Sequence, residues 1–177
     1  AIALNQEGGI QVQASRLRTV LPDVKRDFAN GAPFLHAKKG SSYFGPAYFV
    51  RESEPYMTIA VPIERFAGDV IGVLQAEVNL KYIGDVVTNL KIGRAGYSYV
   101  ISRSGELIAH PDISLVLQRR NVAKLESTKA AFMPAAERPK RQALVTPNVQ
   151  GKNVLTASAQ VTGLDWAVIV DRPVEEA

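Results

Sequence analysis

The clearest helical pattern in the chain, Asn79 to Ile92 (NLKYIGDVVTNLKI), lies between two stretches that read as strands and turns. Leu80, Ile83, Val86 or Val87, and Leu90 recur at helical spacing. Asn79 is placed to cap the first turn and Gly93 to end the last. On either side of this helix the same order of elements is expected. Before it, Ile2–Asn5 and Ile10–Ala14 flank Gln6-Glu7-Gly8-Gly9, a hairpin signal. Short helices are expected within Thr19–Asn30, broken by Asn30-Gly31, and from Pro33 through Leu35 and Lys38, closed by Gly40. Three strands follow, Tyr43–Arg51, Tyr56–Ile63 and Val70–Val78, with Gly45-Pro46 pointing to an edge or a bulge in the first.

After the helix, Tyr97, Tyr99 and Ile101 alternate with Ser98, Val100 and Ser102, Ser104-Gly105 turns the chain, and Leu107-Ile108 restarts the apolar pattern. His110-Pro111 stops it, because a residue before proline is pushed to extended geometry. Asp112 is placed to cap a helix through Ile113 and Leu117. The stretch 119–141, broken by Pro134 and Pro139, reads as long loops with short helical pieces. Gln142–Pro147, Asn153–Val161 and Trp166–Val170 close the chain as strands, with Trp166, Val168 and Val170 on a core-facing side. The order ββ, helices, βββ therefore occurs twice, without obvious sequence identity between the copies.

Several function classes are excluded by what the sequence lacks. With no cysteine there are no disulfides, thiolate zinc sites or cysteine nucleophiles. There is no G-x-S-x-G, H-E-x-x-H, P-loop or G-x-G-x-x-G motif, and His36 and His110 are isolated from each other. No catalytic residue, metal site or cofactor is expected. His36 reads as exposed and His110 as a structural hydrogen-bonding residue. No apolar run approaches the roughly 18 residues of a membrane helix. The N-terminus has no signal-peptide pattern and starts inside a strand, which points to an excised portion of a longer protein.

The net charge of +4 is unevenly spread. Residues 1–78 carry eight groups of each sign, whereas 79–177 carry thirteen basic and nine acidic residues. The excess is densest at Arg119, Arg120, Lys124, Lys129, Arg138, Lys140 and Arg141. This stretch reads either as a solvated loop face or as a patch for anionic lipid headgroups. Phe132 is the one aromatic residue there, so base stacking is poorly served and no nucleic-acid partner is expected. A basic nucleic-acid- or polyanion-binding module is the non-sensor alternative.

The first unit's element order resembles a PAS-like sheet. The segment VIGVLQAEVNLKYIGDVVTNLKIGRAGYSYVISRSGELIAHPD resembles the junction of the double Cache sensor family, extracytoplasmic input domains of bacterial histidine kinases, nucleotide cyclases and chemoreceptors. YFGPAYFVRESEPYMTIAVPI upstream and NVLTASAQVTGLDWAVIVDRPVEEA downstream are similar to other strands of the same family. The resemblance implies an α+β fold of two tandem PAS-like modules, each a five-stranded antiparallel sheet with helices on one face, joined by a linking helix. The expected boundaries are 1–78 for a membrane-distal module, 79–93 for the linker and 94–177 for a membrane-proximal module.

The implied function is ligand sensing outside the cytoplasm by a bacterial inner-membrane signal transducer. A histidine kinase is favoured as the parent, with a cyclase or chemoreceptor as alternatives. The partners implied are a small-molecule ligand, the protein's own transmembrane and cytoplasmic output segments, and a second copy in a homodimer. The family's long N-terminal pairing helix has no counterpart before Ile2. Candidate ligand-binding residues are Tyr43, Tyr48 and Arg51 on one distal strand, Tyr56 and Thr58 on the next, and Glu77 near the end of the last. Arg51 and Glu77 could hold opposite ends of a zwitterion. Amino-acid-binding members pair an acidic residue near the position of Glu77 with an upstream Arg-x-Trp-Tyr cluster. Here that region reads NGAPFLHAKKGSSY, without the arginine or the tryptophan, which argues against a standard amino-acid site and leaves the ligand's identity open.

Overall fold

The computed structural model describes residues 1–14, 28–49, 55–134, 137 and 143–176. Contacts divide the chain into one unit built on Ala1–Phe49 and Tyr56–Asn79 and another built on Leu80–Ala177. The first holds strands β1 (Ile2–Asn5), β2 (Ile10–Gln13), β3 (Tyr43–Phe49), β4 (Pro55–Glu64) and β5 (Val70–Asn79), with helix α1 (Ala32–Lys38). The second holds α2 (Lys81–Asn89), β6 (Tyr97–Ser102), β7 (Leu107–Ala109), α3 (Ile113–Leu117), α4 (Glu126–Ala131), β8 (Ala143–Pro147), β9 (Asn153–Val161) and β10 (Trp166–Pro173). A 3₁₀ turn, Val174–Glu176, follows.

Each unit contains one five-stranded sheet, ordered β2-β1-β5-β4-β3 and β7-β6-β10-β9-β8. The described strand pairs are all antiparallel. The second order is the first with every strand number raised by five. The expected pair of PAS-like sheets in an α+β fold is thus present. The helix expected within Thr19–Asn30 falls largely outside the described residues.

In the first unit, α1 lays Phe34 and Ala37 onto Leu4, Ala60 and Val73 of the sheet, with Ile2, Phe28 and Tyr43 at the margin. Proline near the first turn suits a helix start, because the amide it lacks has no helical partner there. The second unit is covered on both sides. Ser98 Oγ donates to the Val87 carbonyl of α2 at 3.3 Å. Tyr97, Tyr99 and Ile101 point the other way, since strand side chains alternate. On that side Gln160 Nε2 donates to the Ala131 carbonyl at the end of α4, at 3.1 Å.

Two local expectations change. Asn79 does not cap α2: the N-cap is Leu80, with no side-chain hydrogen bond, and Asn79 is the last residue of β5. Pairing with Tyr56 across the sheet keeps Asn79 extended. The buried side of α2 runs through Leu80 and Val87, whereas Val86 and Leu90 are exposed. Asp112 does cap α3, its Oδ1 accepting the Ser114 amide at 3.0 Å and the Ser114 hydroxyl at 2.6 Å. Those two donors hold its carboxyl below the usual carboxylate range.

Candidate ligand-binding sites

In the first unit the site follows from strand register. Val73, Gln75, Glu77 and Asn79 share one face of β5, and their partners on β4 are Pro62, Ala60, Thr58 and Tyr56. Val73 and Ala60 belong to the core beneath α1. Further along the same face the side chains turn polar, from Gln75 to the Thr58–Glu77 pair and then the Tyr56–Asn79 pair. Asn79 Nδ2 donates to the Tyr56 hydroxyl at 3.2 Å. The Tyr48 ring stands 6.4 Å from that of Tyr56. Tyr43 lies apart from this pair, against the apolar core and 5.8 Å from the His36 ring. Glu77 is exposed, and Tyr48, Tyr56 and Thr58 are partly buried. Arg51 lies outside the described residues. Asn79 joins the group although the sequence had suggested a capping role for it. The parity of the step from Glu77 to Asn79 was the signal that could have placed it.

The second unit holds a different polar group, and it is buried. Asp171 is fully enclosed, and its register partners are Tyr97 on β6 and Thr156 on β9. Tyr97 donates its hydroxyl to Asp171 Oδ2 at 3.2 Å and accepts from Asn148 Nδ2 at 3.2 Å. Asn148 is oriented by its turn, its Oδ1 accepting the Gln150 and Lys152 amides at 2.9 Å each. The rings of Tyr97, Tyr99 and His110 form a triangle with centroids 5.4 to 5.9 Å apart. His110 Nδ1 accepts the Asp112 amide at 2.9 Å, which places the ring proton on Nε2.

What sets this group apart is the polar atoms it leaves unpaired. Tyr99 OH, His110 Nε2, Ser127 Oγ, Thr156 Oγ1 and Asp171 Oδ1 are buried without a hydrogen-bond partner among the described residues. The Thr156 and Tyr99 hydroxyls lie near enough to Asp171 to favour its charged form, and Ser127 bears on Tyr99 in the same way. None of these pairs, however, meets strict hydrogen-bond geometry. A buried polar group left so typically costs about 1–3 kcal/mol. Sequence reasoning took Tyr97 and Tyr99 as alternating strand residues and His110 as a structural hydrogen-bonding residue, and passed over Asp171. The signal was a carboxylate two residues beyond Ile169, on the side where Ala167 and Ile169 are completely buried.

Burial controls the protonation of this group. It pushes the Asp171 carboxyl up from its usual range. It also raises the Tyr97 and Tyr99 hydroxyls, with the Asp171 charge adding to the effect. His110 is lowered from 6.5 for the same reason, its charged form being disfavoured away from water. A histidine held neutral in the fold contributes stability above its unfolded pKa, and that contribution is lost as pH falls from 6.5 through the lower folded value. Asp171 acts with the opposite sign, its contribution being lost as pH rises from 3.8 through the raised folded value. His110→Asn keeps an acceptor for the Asp112 amide and removes the titration. Its melting temperature should therefore fall less than that of the unmodified chain as pH drops below 6.5. Parallel pH profiles for the two chains would contradict this account.

No group of three or more metal-ligating side chains occurs among the described residues. No helix among them is long and apolar enough to cross a membrane.

A family model described as a Cache domain matches residues 1–177. The methyl-accepting chemotaxis protein PctB of Pseudomonas aeruginosa is 28% identical over 131 residues, which are 66% of this chain and 19% of that protein. The chain aligns with between 10% and 19% of the length of its curated relatives. Among solved structures, the ligand-binding domain of the Pseudomonas fluorescens chemoreceptor CtaA in complex with L-serine superposes with a TM-score of 0.63 at 16% identity, covering 98% of this chain and 72% of that one. The extracellular domain of a putative histidine kinase gives a TM-score of 0.59 at 21% identity, covering 83% and 56%. At these identities the structural likeness speaks for the fold. With the family match over its whole length, the chain belongs to the Cache domain family, extracellular ligand-sensing input modules of membrane receptors.

Proposed function

We propose that the first unit binds a small metabolite carrying an ammonium group, held between Tyr48, Tyr56, Thr58 and Glu77. The observation that carries this reading is the register pairing of Thr58 with Glu77 and of Tyr56 with Asn79 on the face that α1 covers. A carboxylate flanked by hydroxyl oxygens and aromatic rings suits an N–H-bearing cation. Arg51 follows β3 closely in sequence and would take an anionic end of the same molecule. Tyr43 packs against the apolar core instead. No bond is made or broken in this role. The ligand favours one shape of the unit and shifts its equilibrium by its differential affinity for the two shapes.

The shift then passes through the linker at 79–93 to the membrane-proximal module at 94–177, and on to an output segment of a bacterial inner-membrane receptor. Alignment with PctB supports a chemoreceptor output, with a histidine kinase as the other parent considered. The basic stretch 119–141 would face anionic headgroups. Vesicles containing anionic lipid should then bind the chain in a salt-sensitive way, and equal binding to neutral vesicles would remove that placement.

A thermal-shift screen of amine-bearing metabolites tests the ligand reading. A true ligand at a hundredfold excess over its dissociation constant stabilises by about 2.7 kcal/mol. Glu77→Gln and Thr58→Val should each reduce that stabilisation. If Glu77→Gln and Arg51→Ala both leave it unchanged, the ligand sits elsewhere.

A further inference from the structure

The buried polar group of the second unit repeats a feature of the first. Thr58 is the fourth residue of β4 and pairs with a carboxylate on β5, Glu77. Thr156 is the fourth residue of β9 and pairs with a carboxylate on β10, Asp171. β4 and β5 hold the same places in their sheet as β9 and β10 hold in theirs. The difference lies in burial: Glu77 is exposed, whereas Asp171 and Thr156 are at least nine-tenths buried.

From this placement we infer that the second unit contains its own cation site, in which Asp171, Thr156, Tyr99 and Ser127 receive a free ammonium ion or the ammonium head of a small amine. The chemical class follows from the groups present. One carboxylate oxygen and three hydroxyl oxygens, none with a hydrogen-bond partner among the described residues, can accept from a tetrahedral donor. No basic side chain is among the groups acting on Asp171, so an anionic ligand would meet an uncompensated buried carboxylate. Tyr97, which is partly buried, and Asn148, hydrogen-bonded to it, complete the group. This site stands independently of the ligand reading for the first unit, and would give the receptor a second input.

Thermal denaturation of the 177-residue chain in ammonium, methylammonium and potassium chlorides at equal ionic strength is the test. Potassium matches ammonium in charge and nearly in size but donates no hydrogen bonds. The site predicts a higher midpoint in ammonium than in potassium. A comparable or larger rise in methylammonium assigns the guest to an amine head, and a rise in ammonium alone assigns it to the free ion. Asp171→Asn should abolish the difference, Tyr99→Phe should weaken apparent affinity by at least about tenfold, and Glu77→Gln should leave it intact. On the unmodified chain, the proton on His110 Nε2 should shift in the NMR spectrum on ammonium addition, a readout that decides the matter if Asp171→Asn does not fold. Equal midpoints in ammonium and potassium would overturn the site and leave the group satisfied by ordered water only. Survival of the effect in Asp171→Asn, or its loss in Glu77→Gln alone, would also overturn it, the latter by placing the cation in the first unit.

Discussion

Phe34→Ala is expected to destabilise the first unit by about 3–5 kcal/mol. The reason is the small size of the core it serves. Phe34, only 2% exposed, packs with Leu4, Ala37, Ala60 and Val73, two of which are alanines. No other buried member of that cluster is aromatic, so truncation leaves a cavity that alanines cannot fill by rearranging. Such a loss is a large share of the stability of a small domain. Amide hydrogen exchange in β1, β4 and β5 should accelerate together, since these strands share the face that Phe34 covers. Ligand-induced stabilisation should fall as well, because the polar end of that face is a continuation of the same two strands. A loss below about 1 kcal/mol would mean that α1 does not hold the sheet.

Much of this architecture was legible in the sequence because strands announce themselves locally. Alternation in Tyr56–Ile63 and in Tyr97–Ser102, and punctuation at Gly8-Gly9 and Ser104-Gly105, depend on neighbours only a few residues away. The repeated ββ, helix, βββ order was readable for the same reason. Face assignment was harder. Whether Trp166, Val168 and Val170 or Ala167, Ile169 and Asp171 meet the more completely buried side depends on which helix covers which face, and helical periodicity in α3 and α4 is too short to announce that. Both sides of β10 proved to be covered, so its apolar residues alone could not distinguish them. Asn79 illustrates a different limit. A side chain suited to a helix cap is equally suited to a cross-strand hydrogen bond, and the partner that decides, Tyr56, lies 23 residues away.

The two candidate sites differ in legibility on the same grounds. Tyr56, Thr58 and Glu77 could be chosen from strand position, since register in one hairpin is set by its own turn. The group around Asp171 draws on β6, the residue after β7, β9, β10, α4 and the turn at Asn148, so its members meet only after the sheet has formed. Tyr97 and Tyr99 were noticed as alternating strand residues and His110 as a structural hydrogen-bonding residue, each by itself. Each does pack as framework, and it is the unpaired Tyr99 hydroxyl and His110 Nε2, together with the carboxylate opposite, that give the group a chemical character of its own.

Gly105→Ala should destabilise the second unit by about 3 kcal/mol or more, well beyond the usual effect of replacing a turn glycine. Two effects combine at this position. Its φ of 82° lies in the left-handed region, where a side chain typically costs about 1–2 kcal/mol. In addition, a Cβ here would collide with the backbone nitrogen, Cα and Cβ of Ala123, with the last two at 2.5 and 2.6 Å. Ala123 cannot simply retreat. Val122 donates its amide to the Gly105 carbonyl at 2.7 Å, Ala123 donates its own to Asn121 Oδ1 at 2.9 Å, and Asn121 Nδ2 binds the Ser104 carbonyl at 3.0 Å. Gly163 provides the control. It has the same φ of 82° with nothing within 4 Å of an added Cβ, so Gly163→Ala should show the backbone effect alone. Chemical denaturation followed by the fluorescence of Trp166, the chain's one tryptophan, reads both variants in the unit that contains them. Equal losses at the two glycines would show that the segment Asn121–Ala123 yields to the turn. A loss at least twice as large at Gly105 would show that the turn and this segment are locked, and with them the start of α4, whose Ser127 lies beside Tyr99.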